Sequence, residues 1–262
     1  MSKLSKALDK AKKERQDSQP PAAESSPEQS RQESPRPGSV RTRVQNPRQE
    51  ILEQNRIISA IQDQSILDTY NLLRTQILQK TRDKGWNTIM ITSPRAGEGK
   101  TTTALNLALS IAREAMQTAL VVDTNLRSPK LDKLLDLQCS KGLTDYLLDS
   151  AGVSELLVNP NLDKFVLLPA GRALSGSTDI LSSPRMQELV NELKNRYPDR
   201  YVLFDCPHLL NMPDSLLFSS YVDAVILVVE AGKTSREDID HSLQLLEGKN
   251  ILGLVLNKGA QA

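Results

Sequence analysis

The strongest chemical signal in the sequence is a glycine-containing segment at residues 93–102 that ends in Lys-Thr-Thr. Gly97 and Gly99 allow backbone N–H groups to turn toward a phosphate without obstruction by a Cβ atom. Lys100 supplies a cation for the β- and γ-phosphates, and the Thr101 hydroxyl is a suitable ligand for Mg²⁺. The segment therefore predicts a site for ATP and Mg²⁺ formed by Ala96, Gly97, Glu98, Gly99, Lys100, Thr101 and Thr102.

One position departs from the usual phosphate-loop pattern, which has glycine where this chain has Pro94. The alternative interpretation is an ordinary glycine turn followed by a surface lysine. An apolar run directly before the segment and a helical pattern directly after it favour the phosphate loop, because this motif joins a strand to a helix.

Two aspartates, Asp123 and Asp205, directly follow apolar runs. In a parallel sheet, residues at the carboxyl ends of strands meet at the edge where ligands bind. Asp205 fits the position of a carboxylate that orients Mg²⁺, and Asp123 could hold the same ion or accept a proton from an attacking hydroxyl. The alternative is that each aspartate only caps the next helix. Two such residues beside a phosphate loop favour function, so we predict that Thr101, Asp123 and Asp205 hold the metal.

Alternating strands and helices would position these residues. Short apolar runs rich in β-branched residues alternate with amphipathic segments after Gly85, which predicts a doubly wound, mostly parallel α/β sheet of the P-loop NTPase type. The expected strands are 88–92, 119–123, 165–168, 201–205, 224–229 and 251–256, and the expected helices are 66–80, 102–116, 184–196 and 236–247.

Composition divides the chain into three parts. Residues 1–15 predict a short basic amphipathic helix, which is either a docking peptide for a protein partner or a solubilising tail. Residues 16–49 are rich in Pro, Ser, Gln, Glu and Arg and predict a disordered linker. Residues 50–262 predict the nucleotide-binding domain.

Charge and hydropathy exclude several classes of protein. The first 50 residues contain 11 basic and 7 acidic side chains, a local charge of +4, which leaves −3 for the remainder of a chain whose net charge is +1. We therefore expect no nucleic-acid partner. No apolar run is long enough to cross a bilayer, the first residues lack a secretory signal, and two cysteines are too few for a disulfide scaffold, so we expect a cytoplasmic protein.

Several segments together resemble the bacterial tyrosine kinases, or BY-kinases, of capsule and exopolysaccharide systems. The run from Val121 to Pro129 resembles the second Walker motif of that family, and Phe204-Asp205-Cys206-Pro207 resembles its Walker B region. Residues 196–200 and the basic amino-terminal segment are most similar to the exosortase-associated branch. Partitioning and septum-site ATPases share the fold and are the nearest competing relatives.

The resemblance implies an ATP-dependent autokinase that pairs with a membrane-embedded activator of polysaccharide export. By position it implies that Lys100, Asp123, Asp205 and Arg127 serve catalysis and that Asn257 contacts the adenine, with a strand-end turn residue as the alternative for Asn257. The segment 70–75 resembles the helix that mediates ring assembly, which implies self-association and, through the partner, association with the membrane.

Two departures from the family leave a second function open. The second aspartate of the D-x-D motif is Asn125, which can neither carry charge nor take a proton, and the last tyrosine is Tyr221, so the usual carboxyl-terminal tyrosine cluster is missing. The alternative to a kinase is therefore a nucleotide-gated interaction module with little phosphotransfer. A third hypothesis, a partitioning-type ATPase on DNA, is disfavoured by the negative charge of the folded part.

Overall fold

The structure is a computed structural model that describes residues 42–149 and 151–259. The predicted helix at 1–15 and most of the predicted linker at 16–49 lie outside these residues.

The described residues form an eight-stranded sheet with the order β1-β4-β5-β3-β6-β2-β7-β8. All neighbouring strands pair in parallel except β4 and β5, which are antiparallel. The strands are β1 (Arg43–Val44), β2 (Thr88–Thr92), β3 (Thr118–Asp123), β4 (Val158–Asn159), β5 (Phe165–Leu168), β6 (Arg200–Asp205), β7 (Ala224–Glu230) and β8 (Ile251–Asn257).

Helices connect most of these strands, and several begin with a residue whose side chain caps the helix. Asp63 accepts a hydrogen bond from the Ser65 amide, and Ser183 accepts one from the Met186 amide. The helices are α1 (Gln49–Gln54), α2 (Gln64–Thr81), α3 (Lys100–Ala112), α4 (Leu131–Leu134), α5 (Leu143–Asp149), α6 (Val153–Leu156), α7 (Ser177–Leu181), α8 (Pro184–Arg196), α9 (Pro213–Phe218) and α10 (Arg236–Leu245), and a 3₁₀ turn spans Arg82–Lys84.

Two apolar clusters cover the two faces of the sheet. One contains the buried side of α3 together with residues of α1 and α2, and the other contains residues of α5, α8 and α9. Strands β2, β3 and β6 lie in the middle of the sheet and are almost entirely buried. Burial on both faces explains why these strands are continuous apolar runs rather than alternating ones. The predicted doubly wound, mostly parallel sheet is confirmed.

The structure differs from the predicted linker at its carboxyl-terminal end. Arg43 and Val44 pair with β4, and the Gln45 amide donates to the carbonyl of Asn159 at 2.9 Å. The Arg48 guanidinium forms two hydrogen bonds with Asp136, at 2.7 and 2.8 Å. These partners lie far away in the sequence, so the local composition gives no sign of them. Residues 42–49 therefore belong with the folded domain.

In the part of the chain that the structure describes, none of the helices combines the length and the apolar character that a bilayer span requires.

Candidate functional site

The loop between β2 and α3 lies at the carboxyl edge of the sheet, as predicted. Gly97 and Gly99 have φ angles of +88° and +92°, in the region that favours glycine. A Cβ atom on Gly99 would lie 1.9 Å from Asn257 Nδ2, so a side chain at this position would displace Asn257 from its contact with the loop. Pro94 does not adopt a positive φ, which shows that the first glycine of the usual pattern is not needed for this loop.

Glu98 holds the loop from inside. Its side chain is 3% exposed and accepts hydrogen bonds from the Arg95 amide at 2.8 Å and from the Thr234 hydroxyl at 2.5 Å. The Ser93 hydroxyl donates to the Arg95 carbonyl at 2.6 Å. The carboxylate therefore links the loop to the segment that follows β7.

The ends of β8 and α10 hold the same loop from outside. Asn257 Nδ2 donates to the Glu98 carbonyl at 2.9 Å, and Lys258 Nζ donates to the Gly97 carbonyl at 2.8 Å. The Arg95 guanidinium pairs with Asp238 at 2.6 and 2.8 Å. Arg95 remains largely exposed, and its partner is 143 residues away in the sequence.

Asn257 was predicted to contact the adenine of the nucleotide. In the structure its side-chain amide contacts the backbone of the phosphate loop. This contact places Asn257 at the nucleotide site, and the contact with adenine stays a prediction.

Asp123 and Asp205 lie side by side at the ends of β3 and β6, as the strand-end argument predicts. Both side chains are 1% exposed. The Thr101 hydroxyl is hydrogen-bonded to Asp205, and Lys100 is the largest attractive charge on that carboxyl group. The phosphate loop and the two aspartates therefore form one site.

The two carboxyl groups are held in an environment that opposes ionisation. Burial and the nearby Asp205 raise the pKa of Asp123 to about 8, although three backbone amides act in the opposite direction. Burial also raises the pKa of Asp205, and Lys100, Thr101 and Lys130 oppose this rise. Two acidic groups in a dry site repel each other when both are ionised, so the site attracts a cation.

The two aspartates differ in whether they cap the next helix. Asp123 accepts hydrogen bonds from the amides of Asn125 at 3.1 Å, Lys130 at 3.2 Å and Leu131 at 3.3 Å, so it also organises the start of α4. Asp205 makes no such contacts, and its Oδ1 atom is buried without a hydrogen-bond partner in the described part of the chain. An orphaned buried oxygen beside a phosphate loop is what a metal ligand requires before the metal binds.

The donor set fits Mg²⁺ bound together with a nucleotide. Residues 42–149 and 151–259 contain no group of three His, Cys, Asp or Glu side chains that could hold a metal ion by themselves. Mg²⁺ is typically held by one or two carboxylates, a hydroxyl, water and the phosphates of the substrate. Asp205, Asp123 and Thr101 offer such oxygen atoms.

Arg127, predicted to serve catalysis, is engaged in a second polar cluster. Its guanidinium contacts Asp214 at 3.1 Å, Ser177 Oγ at 2.9 Å and Thr178 Oγ1 at 3.0 Å. Burial raises the pKa of Asp214, but hydrogen bonds from Arg127, Ser177 and Thr178 outweigh it and hold that pKa below its usual value. Arg127 therefore joins the loop after β3 to α7 and α9, and its part in catalysis stays a prediction.

The sequence places His208 directly after the Walker B region, either as a group that titrates near neutrality or as a packing or solvent residue. In the structure, burial and the charge of Lys100 lower the pKa of His208, which favours its neutral form. Sequence reasoning did not identify several other residues around the site. Lys130 acts on Asp205 from the loop after β3. Thr234, Asp238 and Lys258 contact the phosphate loop itself. None of them stands in a recognisable motif, and only the position of Lys258 beside Asn257 could have indicated a role.

Comparisons with known proteins agree with this geometry. A family model described as an AAA domain matches residues 86–249. Tyrosine-protein kinase CpsD of Streptococcus pneumoniae serotype 4 is 34% identical over 191 residues, which are 72% of this chain and 82% of that protein. Succinoglycan biosynthesis transport protein ExoP of Rhizobium meliloti is 31% identical over 176 residues, which are 65% of this chain and 22% of that protein.

A solved kinase domain is also similar to this chain in fold and sequence. The crystal structure of the VpsO kinase domain superimposes with a TM-score of 0.67 at 30% identity and covers 75% of this chain and 98% of that one.

Proposed function

The chain belongs to the bacterial tyrosine kinase family, and from this membership we propose that it transfers the γ-phosphoryl group of ATP to tyrosine hydroxyls in a system that makes and exports exopolysaccharide. Its P-loop domain is of the nucleotide-binding type. The kinase is favoured over both alternatives derived from the sequence, the nucleotide-gated module and the DNA-partitioning ATPase.

The proposed binding step places the phosphates against the loop from Ala96 to Thr102. The amides at the start of α3 and the Lys100 ammonium group attract the negative charge of the phosphates. Lys100 also stabilises the charge on the transferred group, where positioning and electrostatics supply most of the rate enhancement. Mg²⁺, when bound, neutralises charge on the β- and γ-phosphates. Asp205 and Thr101 would hold it, and Asp123 would support it.

Asp123 is also the proposed proton acceptor for the attacking tyrosine. It lies beside Asp205 at the strand-end edge of the site, where a carboxylate can accept a proton from a hydroxyl placed against the phosphates. Asn125 does not compete for this proton, because an amide cannot take one. The backbone N–H of Asn125, which any residue at this position would supply, donates to Asp123 Oδ1 and helps to fix its orientation.

The proposed partner is a membrane-embedded protein of polysaccharide export, and the proposed location is the cytoplasm, at the membrane through that partner. The similarity to ExoP supports this, because the matched region is 22% of a protein that is named as a transport protein. In such an arrangement a kinase-like part and a transport part act together. This chain would take the place of the kinase-like part.

The observation that carries the proposed function is the buried, unpaired oxygen of Asp205 opposite Lys100 and Thr101. The test is transfer of radiolabel from [γ-³²P]ATP with Mg²⁺ to tyrosine in the full chain, identified by phosphoamino-acid analysis. We expect Lys100→Met to reduce labelling by at least about a hundredfold. The control is Lys141→Met, which removes an exposed lysine outside the site. Equal labelling of wild type and Lys100→Met would refute the role of Lys100.

A further inference from the structure

The tyrosines of this chain differ sharply in accessibility. The sequence has five, and all of them lie within the described residues: Tyr70, Tyr146, Tyr197, Tyr201 and Tyr221. A kinase can modify only a tyrosine whose hydroxyl can enter an active site. The exposure of each tyrosine therefore decides which one can serve as an acceptor.

Four of the five are buried or half-buried. Tyr201 is 5% exposed, and its hydroxyl is 2.8 Å from Thr81 Oγ1. The pKa of Tyr70 is raised by burial, and its hydroxyl is bonded to Asn106 and Thr103. Tyr221 packs edge-on against Phe218, with ring centroids 5.8 Å apart, and the Arg185 guanidinium lies 4.8 Å from the ring centroid of Tyr146.

Tyr197 is different, because its side chain is 42% exposed. It follows the end of α8 in an extended conformation, with φ −139° and ψ 117°, within the exposed stretch 195–199. The Arg200 guanidinium lies 4.1 Å from its ring centroid and supports the ring from one side. An exposed tyrosine on an extended segment has the form that an active-site cleft can accept.

We propose, on the basis of the kinase activity proposed above, that Tyr197 is a phosphoacceptor and that a second copy of this chain phosphorylates it. Tyr197 precedes β6, whereas Asp205 lies at the other end of that strand. Six residues of strand span about 20 Å, so Tyr197 cannot reach the site of its own chain. The reaction must therefore occur between two copies.

The proposed reaction needs no reactant other than ATP and the tyrosine. The Tyr197 hydroxyl oxygen forms a bond to the γ-phosphorus, the bond from that phosphorus to the β–γ bridging oxygen breaks, and ADP leaves with the bond electrons. The phenolic proton passes to Asp123 of the copy that binds ATP. The products are phosphotyrosine, ADP and a proton.

The charges around Tyr197 favour the phosphorylated product. Arg196 and Arg200 flank it, and a phosphate group carries about −1.5 to −2 charges at pH 7. Arg196 pairs with Glu192 at 3.2 Å in the unphosphorylated chain, and it can pair with the phosphate group on Tyr197 instead. Asp199 opposes this attraction, but the two cations outnumber it.

The test separates the chain that binds ATP from the chain that accepts phosphate. Tyr197→Phe supplies an active kinase without this acceptor, and an affinity-tagged Lys100→Met chain supplies the acceptor without the kinase. After incubation of the mixture with Mg²⁺ and [γ-³²P]ATP, we expect label on Tyr197 of the tagged chain, located by mass spectrometry. The tagged double variant with Lys100→Met and Tyr197→Phe should lose at least about nine-tenths of that label.

Controls distinguish this inference from the proposed function. Tyr221→Phe in the tagged chain should leave labelling unchanged, and Tyr197→Phe should hydrolyse ATP as wild type does. Wild-type labelling that is located on other tyrosines and survives Tyr197→Phe would overturn the inference and leave the kinase assignment intact. A wild-type chain that takes no label on any tyrosine would overturn both.

Discussion

Two carboxylates, Asp205 and Asp214, are equally buried near the carboxyl edge of the sheet and differ in almost everything else. Asp214 is fully buried and accepts hydrogen bonds from Arg127, Ser177 and Thr178, and its pKa is lowered. Asp205 is 1% exposed, has one oxygen atom without a partner, and its pKa is raised.

The difference distinguishes a carboxylate that stabilises the fold from one that the fold keeps for a ligand. A buried charge with a cation and hydroxyl donors is stable in its ionised form, and removing one partner leaves an uncompensated charge. A buried carboxyl group beside another carboxyl group is unstable in its ionised form until a cation arrives. Asp214 thus links three segments of the fold. The ionised forms of Asp205 and Asp123, by contrast, become stable only when Mg²⁺ and phosphate bind.

The largest expected effect is on catalysis, from Asp205→Asn. This change keeps the shape of the side chain and removes the charge that orients Mg²⁺, so tyrosine phosphorylation should fall by at least about a hundredfold. Initial rates of label transfer at saturating ATP measure the effect. Asp179→Asn, on the exposed side of α7, is the matched control and should behave as wild type. If Asp205→Asn retained more than half of the activity, this carboxylate would not be the metal ligand.

The second effect is on stability, from Asp214→Asn. This change leaves Arg127 without its anionic partner and two hydroxyl groups without a strong acceptor. Because the Arg127 side chain is 36% exposed and water can solvate its charge, the free energy of unfolding should fall by about 1–3 kcal/mol. Urea denaturation followed by circular dichroism measures it. In the double variant with Arg127→Met the loss should be smaller than the sum of the two single losses. A loss below about 1 kcal/mol for Asp214→Asn alone would show that the cluster does not hold the fold.

The third effect is on the pH dependence of stability. Asp123 has a raised pKa of about 8, so the folded state retains a proton that the unfolded state loses above about pH 4. Stability from this group is complete below pH 4 and is lost as the pH rises toward 8. Without nucleotide or metal, Asp205→Asn should therefore be more stable than wild type, by about 1–3 kcal/mol at pH 8 and by less at pH 5.

Thermal unfolding in the presence of a metal chelator at pH 5, 6.5 and 8 measures this difference. Parallel curves for the two proteins would mean that the two aspartates do not repel each other in the folded state.

The smallest effect is expected at the exposed pair of Arg95 and Asp238. The Arg95 side chain is 59% exposed, so solvent screens its attraction to Asp238. Arg95→Gln should change the melting temperature by less than about 2 °C. Differential scanning calorimetry measures it. A melting-temperature shift as large as that of Asp214→Asn in the same calorimeter would remove the distinction between exposed and buried pairs.

Much of the site could be predicted because its residues stand at the ends of apolar runs. Asp123 and Asp205 follow two such runs, and the carboxyl ends of neighbouring parallel strands meet, so their proximity follows from the strand pattern alone. The loop at 96–102 carries its own signal in the glycines and the lysine. The long buried strands and α2, α3, α8 and α10 were predicted for the same reason, since their periodicity is local.

The other features of the site and the fold depend on contacts between residues far apart in the sequence, which local patterns do not encode. Arg127 and Asp214 are 87 residues apart, and Arg95 and Asp238 are 143 residues apart. Two-residue strands such as β1 and β4 show no periodicity and form only because an edge is available for pairing. The unpaired oxygen of Asp205 is visible only after every neighbouring donor has been placed.

The central claim is that the fold keeps Asp205 unpaired for a magnesium–nucleotide complex, and isothermal titration calorimetry of ATP with and without Mg²⁺ tests it most directly. In the wild type, Mg²⁺ should increase the affinity for ATP by at least about tenfold. In Asp205→Asn this increase should disappear, while ATP without the metal still binds, because the loop around Lys100 is intact. An equal gain from Mg²⁺ in both proteins, or no heat from ATP in the wild type, would contradict the claim.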